Sequence, residues 1–356
     1  MKKAATKKSH EDRILSYAEA VREGTEQEMA RDTAVILLGQ GVDYDRGLLG
    51  TTRGLVQRFG ASRVFDTPLA EDGMTGISIG AAMSGLRPIH THVRMDFLTL
   101  CMNQLINIAA KAHYMFGGQV KVPLVIRTLI GDGWGAQHSQ GLHSQFVNIP
   151  GLKIVAPSTP HDAKGCLAQA VRDDNPVIFI EHFKLYAEHG NVPTQPYTIQ
   201  FGKSVIRRTG KDITLVGISY ANVECLKAAA YLEKAGISVE VIDPVSLAPL
   251  DMKTILASVK RTGRLLVVDT AWTGCGVSAE IVAVAGEHFS SRRKLSMQRL
   301  GFAPVPSPNA PALEKHFYPD AEKIAQTAAK MVVGGKARMK LTRRKIDPKA
   351  SMVDKV

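Results

Sequence analysis

The chain has 356 residues, 45% hydrophobic and 22% charged, with 45 Lys/Arg against 33 Asp/Glu and a formal net charge of +12. That length is enough for two domains with separate cores, and no apolar run reaches the roughly 18 residues needed to span a bilayer. The charge would point to a nucleic-acid binder if it covered a folded surface, but it sits at the ends. Residues 1–8 carry four lysines and no acid, and residues 335–356 carry eight Lys/Arg against Asp347 and Asp354, which leaves the body near about +2. Both tails read as solvated segments without an aromatic-interleaved basic motif, so neither nucleic acid nor a membrane is expected as a partner. The N-terminal lysines precede no apolar stretch, so no secretory signal is expected. Cys101, Cys166, Cys225 and Cys275 are widely spaced in apolar or small-residue contexts, which predicts buried, reduced thiols and a cytoplasmic protein.

In chain order, a helical opening runs from Glu11 to about Met29, followed by a buried strand at 34–38. Val64 and Phe65 lead through Pro68 to Glu71 and a helix on which Gly76, Gly80 and Ser84 share one face, so something is expected to approach that face closely. An extended run from Pro88 through Val93 follows, then a helix from Phe97 to about Phe116, a strand at 122–126, a helix at 161–172 and a strand at 177–180. Continuous apolar strands separated by helices predict a parallel sheet covered on both faces. Residues 191–203, with Pro193 and Pro196, read as a linker. A second alternating unit then places strands at 213–216, 239–242 and 265–268, and helices at 221–235, 251–259, 277–287 and 320–333. The expected organisation is a basic tail (1–10), a first α/β domain (11–190), the linker, a second α/β domain (204–334) and a disordered basic tail (335–356).

Three constellations could carry chemistry. Glu71 stands at the mouth of a glycine-lined helix, where it is either a carboxylate favoured by the helix dipole or a contact to a bound ring. Gly131-Asp132-Gly133-Trp134-Gly135-Ala136-Gln137-His138-Ser139-Gln140 leaves the carboxyl end of a strand, where α/β sheets place ligands. His138 is the candidate there, with His143 competing for the same role. His90, His92 and Arg94 are expected on one strand face, as polar packing rather than metal ligands, since no third ligand has diagnostic spacing. There is no G-x-G-x-x-G after the first strand, no Walker lysine loop and no G-x-S-x-G, which argues against dinucleotide dehydrogenases, P-loop NTPases and α/β-hydrolases.

Asp66-Thr67-Pro68-Leu69-Ala70-Glu71 with its glycine-spaced helix, Gly85-Leu86-Arg87-Pro88, Ala136-Gln137-His138-Ser139-Gln140, Pro150-Gly151-Leu152-Lys153 and Asp173-Asp174-Asn175-Pro176 together resemble the β subunit (E1β) of thiamine diphosphate-dependent 2-oxoacid dehydrogenases. The likeness runs in order from about residue 32 to 332, through Asp243-Pro244 and Pro249-Leu250-Asp251. It implies a transketolase-like pyrimidine-binding domain followed by a transketolase C-terminal-like domain, both doubly wound α/β. Glu71 resembles the glutamate that shares a proton with N1′ of the aminopyrimidine and so activates the cofactor. Phe97 matches the aromatic beside that ring, Gln40 and Val93 fall at cofactor-lining positions, and His138 matches the histidine near the substrate. The backbone carbonyls of Leu124, Ala170, Val171, Asp173 and Asn175 match a structural potassium site.

The family's diphosphate–Mg²⁺ site needs Gly-Asp-Gly and, some 25–30 residues later, an asparagine that residues 156–163 lack. The resemblance therefore implies an E1 α subunit that supplies that half of the site in an α2β2 heterotetramer. It also implies a lipoyl acyltransferase (E2) as acceptor of the acyl group and a 2-oxoacid or acyloin as substrate. The alternatives are the β half of a split transketolase acting on sugar phosphates, or a non-catalytic scaffold. The sequence departs from the family in having Gly39-Gln40 where Gly-Glu is usual, in a loop before His138 about two residues short, in His92-Val93-Arg94-Met95 where an apolar run is usual, and in the basic C-terminal tail.

Overall fold

The computed structural model describes residues 13–290 and 295–334; both basic tails lie outside the described residues. The first sheet has seven strands, ordered Ser246–Ala248, Lys153–Val155, Val177–His182, Val125–Ile130, Arg87–His92, Val35–Gly39 and Val64–Phe65. All neighbours are parallel except Ser246–Ala248, which runs antiparallel at the edge. That edge strand comes from the part of the sequence read as the second domain, so the two units share a sheet. The second sheet is ordered Ser296–Phe302, Arg264–Trp272, Ile213–Gly217, Val239–Asp243 and Val205–Arg208, the last antiparallel.

The central strands are apolar throughout because helices cover both faces. The helices Tyr17–Arg31 and Pro160–Arg172 bury one face of the first sheet around Val21, Val35, Val125 and Phe179. Their starts are fixed locally. Ser16 and Glu19 form a reciprocal capping box, and Thr159 caps a helix that begins with Pro160. The opposite face packs on helix Glu71–Met83 and on the segment from Met95 to Met115, and that core continues into Val216, Ile242, Val267 and Ile281 of the second unit.

The 95–115 segment is not the regular helix its periodicity predicts. It begins as 3₁₀ turns (Met95–Cys101), widens to π-helical turns (Asn103–Ala109) and ends as α-helix (Ala110–Met115). Such departures from the α-helical ladder concentrate at functional segments. The expectation that something crowds Gly76 and Gly80 is not met within the chain. A side chain at Gly80 would meet nothing, and one at Gly76 would only touch Gln104. That helix face is open. Cys275 departs from expectation in the same way, being exposed while the other three cysteines are buried.

One buried ion pair crosses the first sheet. Arg127 and Glu181, on adjacent strands and 0% and 2% exposed, pair through two bonds of 2.8 and 2.9 Å, and the Tyr186 hydroxyl donates to Glu181 Oε2 at 2.9 Å. Removing one partner strands a charge in a dry core, which costs about 3–5 kcal/mol. Glu181→Ala is therefore expected to lower the unfolding free energy by that amount in urea titration. A loss below about 1 kcal/mol would mean that the Arg127 charge finds water.

Candidate active site

Four strands of the first sheet release their chains at the same carboxyl edge, and the predicted site residues lie on the loops that leave it. Gly39 pairs in register with Thr91. Its φ of 139° lies outside ordinary L-residue space, and a Cβ there would collide with the Thr91 carbonyl. The turn that follows is tied down by Asp66, whose Oδ1 accepts the amides of Gly41 and Thr67 at 2.8 Å each. This brings two predicted residues into contact: Gln40 Nε2 donates to Glu71 Oε1 at 3.1 Å. Glu71 is the first residue of its helix, and no side chain caps the helix N-terminus. The half-buried carboxylate therefore sits beside unsatisfied N–H groups and keeps an oxygen free.

Val93 and Phe97 follow the strand Arg87–His92, and both are half-buried. The Phe97 ring meets His138 edge to face, with centroids 5.2 Å apart at 81°. Asp96, missed by sequence reasoning, locks this arrangement, because its Oδ1 accepts Gln140 Nε2 at 2.8 Å and the Gln140 amide at 3.2 Å. Its Oδ2 is buried without a partner. Arg94 lies over the Trp134 ring, 4.5 Å from its centroid, so the loop bearing His138 is bound to the segment 94–97 at three points.

His143 does not compete with His138. It is 1% exposed, and its Nε2 meets Asp269 Oδ1 of the second sheet at 3.0 Å. Gly141 presses so closely on the Thr270 carbonyl that any side chain would clash. Nothing local could reveal this contact, since Asp269 lies 126 positions away. Arg94 also leaves the face expected of it. His90 and His92 turn toward helix Glu71–Met83, where His90 Nδ1 meets Ser78 Oγ and His92 Nε2 meets Thr75 Oγ1, each at 3.2 Å, while Arg94 lies past the strand's end.

Among the positions matched to potassium, the Leu124 carbonyl accepts from Val177 N, that of Ala170 from Asp173 N, and those of Val171 and Asp173 from Arg87 Nη1. These groups flank the amino edge of the sheet, away from Glu71. Asp132 of the Gly-Asp-Gly triplet forms an ion pair with Lys184.

Comparison with known proteins agrees with this geometry. The family described as transketolase, pyrimidine binding domain, matches residues 14–188, and transketolase, C-terminal domain, matches residues 202–324. The acetoin:2,6-dichlorophenolindophenol oxidoreductase subunit beta of Cupriavidus necator is 44% identical, covering 91% of this chain and 99% of the relative. The chain belongs to the E1β family. The 2-oxoisovalerate dehydrogenase subunit beta of Bacillus subtilis is 40% identical over 87% of this chain and 96% of its own. The pyruvate dehydrogenase E1 component subunit beta of Chaetosphaeridium globosum is also 40% identical, over 88% and 97%. A solved split-gene transketolase, an inactive β4 tetramer, superposes with a TM-score of 0.73 at 18% identity over 89% of this chain and 98% of that one; at that identity the likeness concerns fold alone. As an E1β chain, this protein is part of a thiamine diphosphate-dependent oxidoreductase that acts with an α subunit. The dehydrogenase reading therefore holds over the sugar-phosphate transketolase. Among the described residues, no helix is long and apolar enough to cross a membrane.

The residues present fit the pyrimidine half of that cofactor. A carboxylate with a free oxygen can meet a ring nitrogen, Phe97 offers a half-exposed aromatic face, and Asp96 Oδ2 is an unused acceptor. The helix that carries Glu71 rests on two imidazoles that burial keeps neutral. The His92 pKa is pushed down to about 4, and that of His90 falls well below its usual value through burial and its neighbour His92. Burial likewise pushes His182 down to about 4. The unfolded chain protonates His92 and His182 near 6.5 and the folded chain only near 4. The unfolded state therefore binds more protons in that window, and stability falls as pH drops through it, by up to about 3 kcal/mol per ring. Urea midpoints at pH 7 and 4.5 should show a large fall for the wild type and a smaller one for His92→Gln. Equal falls would remove His92 as a source.

Proposed function

We propose that this chain is the β subunit of an α2β2 E1 component that oxidatively decarboxylates a 2-oxoacid and passes the acyl group to the lipoyl carrier of an E2 acyltransferase. The observation that carries the reading is the contact between Gln40 and Glu71 at an uncapped helix N-terminus. It holds one carboxylate in a fixed direction at the carboxyl edge of a parallel sheet, where such folds bind ligands. Thiamine diphosphate, when bound, supplies the nucleophilic carbon and electron sink for carbon–carbon cleavage. In this reading Glu71 holds a proton at the pyrimidine nitrogen and Gln40 orients the carboxylate. Phe97 and Val93 pack beside the ring, and His138 moves a proton at the substrate oxygen.

The α subunit brings the diphosphate half of the site with its Mg²⁺. Two features support that division. Asp132, the one Gly-Asp-Gly aspartate, is already paired with Lys184. The helix face of Gly80 and Ile77 is also open, and Leu69, Leu100, Tyr114 and Met115 are exposed, apolar surface of the kind that a subunit contact covers. A potassium ion at Leu124, Ala170, Val171, Asp173 and Asn175 would use carbonyl lone pairs left over from the hydrogen bonds described above. A cytoplasmic location belongs to the same reading.

The test is Glu71→Gln in the complex reconstituted with the α subunit. The reading expects kcat for 2-oxoacid turnover to fall at least about 100-fold while the assembly stays intact by size-exclusion chromatography. An unchanged rate would make the chain a scaffold. Turnover by this chain alone would end the claim that the site is shared.

A further inference from the structure

Asp132 is the one carboxylate in the loop Gly131–Gln140 that carries His138. Its side chain is 11% exposed and pairs with Lys184. Lys184 follows the strand Val177–His182, and its amide donates to His182 Nδ1 at 3.2 Å, which fixes where the side chain starts. Its Nζ lies over two rings of the second unit, 5.4 Å from the centroids of both Tyr220 and Tyr318. Surface ion pairs contribute little, but here the carboxylate is mostly covered and the ammonium stands against aromatic faces, where the attraction is less screened.

Packing alone does not fix this end of the loop. The pair borders a cavity of about 110 Å³ that Thr270 and Phe302 also line. Gly133 and Gly135 both have φ of 78°, and a Cβ at either would meet a single neighbour, Glu314 Oε1 or Asn309 Cβ, at 3.6 Å. Beyond them the Trp134 amide donates to Ser139 Oγ at 3.1 Å and the His138 amide to the Gly135 carbonyl at 3.4 Å, closing a turn that Asp132 enters. Asp96 and Asp269 hold the chain after His138, at Gln140 and His143. Asp132 is the ionic anchor before it. We propose that Asp132 is a positioning residue: its bond to Lys184 fixes the amino end of the loop and so sets the reach of His138 toward the substrate. This role rests on the E1 reading above, in which His138 moves a proton at the substrate oxygen. Misplacing a reacting group by about 1 Å costs on the order of 100-fold in rate. The groups assigned to the cofactor, Gln40, Glu71, Val93 and Phe97, stand on other loops.

In the complex with the α subunit, Asp132→Asn is expected to lower kcat for 2-oxoacid turnover at least about 10-fold while KM for thiamine diphosphate stays within about twofold. Lys184→Met should do the same, and Lys184→Arg, which keeps the charge, should stay within about threefold of the wild type. The double variant Asp132→Asn/Lys184→Met should be no slower than the slower single one, the signature of one shared bond. An Asp132→Asn kcat within threefold of the wild type overturns the assignment. So does a cofactor KM that rises as far as kcat falls, which is general damage to the site. A Lys184→Arg as slow as Lys184→Met overturns it too. A second readout needs no turnover: hydrogen exchange at amides 133–139 is followed by mass spectrometry in the wild type and in Asp132→Asn. Exchange at least about 10-fold faster in Asp132→Asn supports the anchor even where no 2-oxoacid reacts, in which case the E1 reading alone fails. Unchanged exchange overturns the anchor.

Discussion

The loop from Gly131 to Gln140 is held from two sides, and the site depends on that double hold. On one side Asp96 receives both the backbone and the side chain of Gln140, and Phe97 meets His138. On the other, His143 reaches Asp269 and Gly141 presses on the Thr270 carbonyl. A glycine-rich loop has high conformational entropy to lose, and ring-to-ring contact at 5.2 Å gives little directional constraint. The charged and close-packed anchors supply the direction. The position of His138 is therefore set partly by the second sheet, which explains why both units belong to one catalytic chain.

The same joint is stiffened elsewhere by buried charge. Asp243, at the end of a second-sheet strand, accepts from Ser158 of the first unit at 2.5 Å and from Arg207 at 2.8 Å, and Arg207 also holds Asp162. Burial raises the Asp243 pKa while Arg207 opposes that shift. Such a network is costly to desolvate and adds little net stability, but it tolerates few alternative arrangements. With the edge strand Ser246–Ala248 completing the first sheet, it fixes one orientation of the two units. Around Glu71 the choice is the reverse. The groups beneath its helix are imidazoles that burial holds neutral.

Much of this was legible in the sequence where the signal is local. The apolar runs at 34–38, 122–126 and 177–180 read as parallel strands, and the structure has fully buried strands at Val35–Gly39, Val125–Ile130 and Val177–His182. Glu71 and His138 stood out because each follows a strand at the carboxyl edge, and Gln40 stood out as a departure at a cofactor-lining position. What stayed hidden depends on distant partners. The strand Ser246–Ala248 is three residues long and exists only because Lys153–Val155 offers it an edge. His143 has the same local setting as His138, and only Asp269 separates their roles. Residues 95–115 carry helical periodicity, but their hydrogen-bond spacing drifts from 3₁₀ to π, which an apolar pattern cannot register.

The open face of helix Glu71–Met83 and the free oxygen of Glu71 belong to one argument. A helix that presents Gly80 and Ile77 to solvent gains little from its own chain on that side. Its buried side divides between two histidines, met by Thr75 and Ser78, and apolar packing through Ile79 and Ala82. An open apolar face of this kind is what a second surface covers. The residue whose direction then matters most is Glu71, at that helix's N-terminus. The open face and the carboxylate are thus carried by one helix, Glu71–Met83.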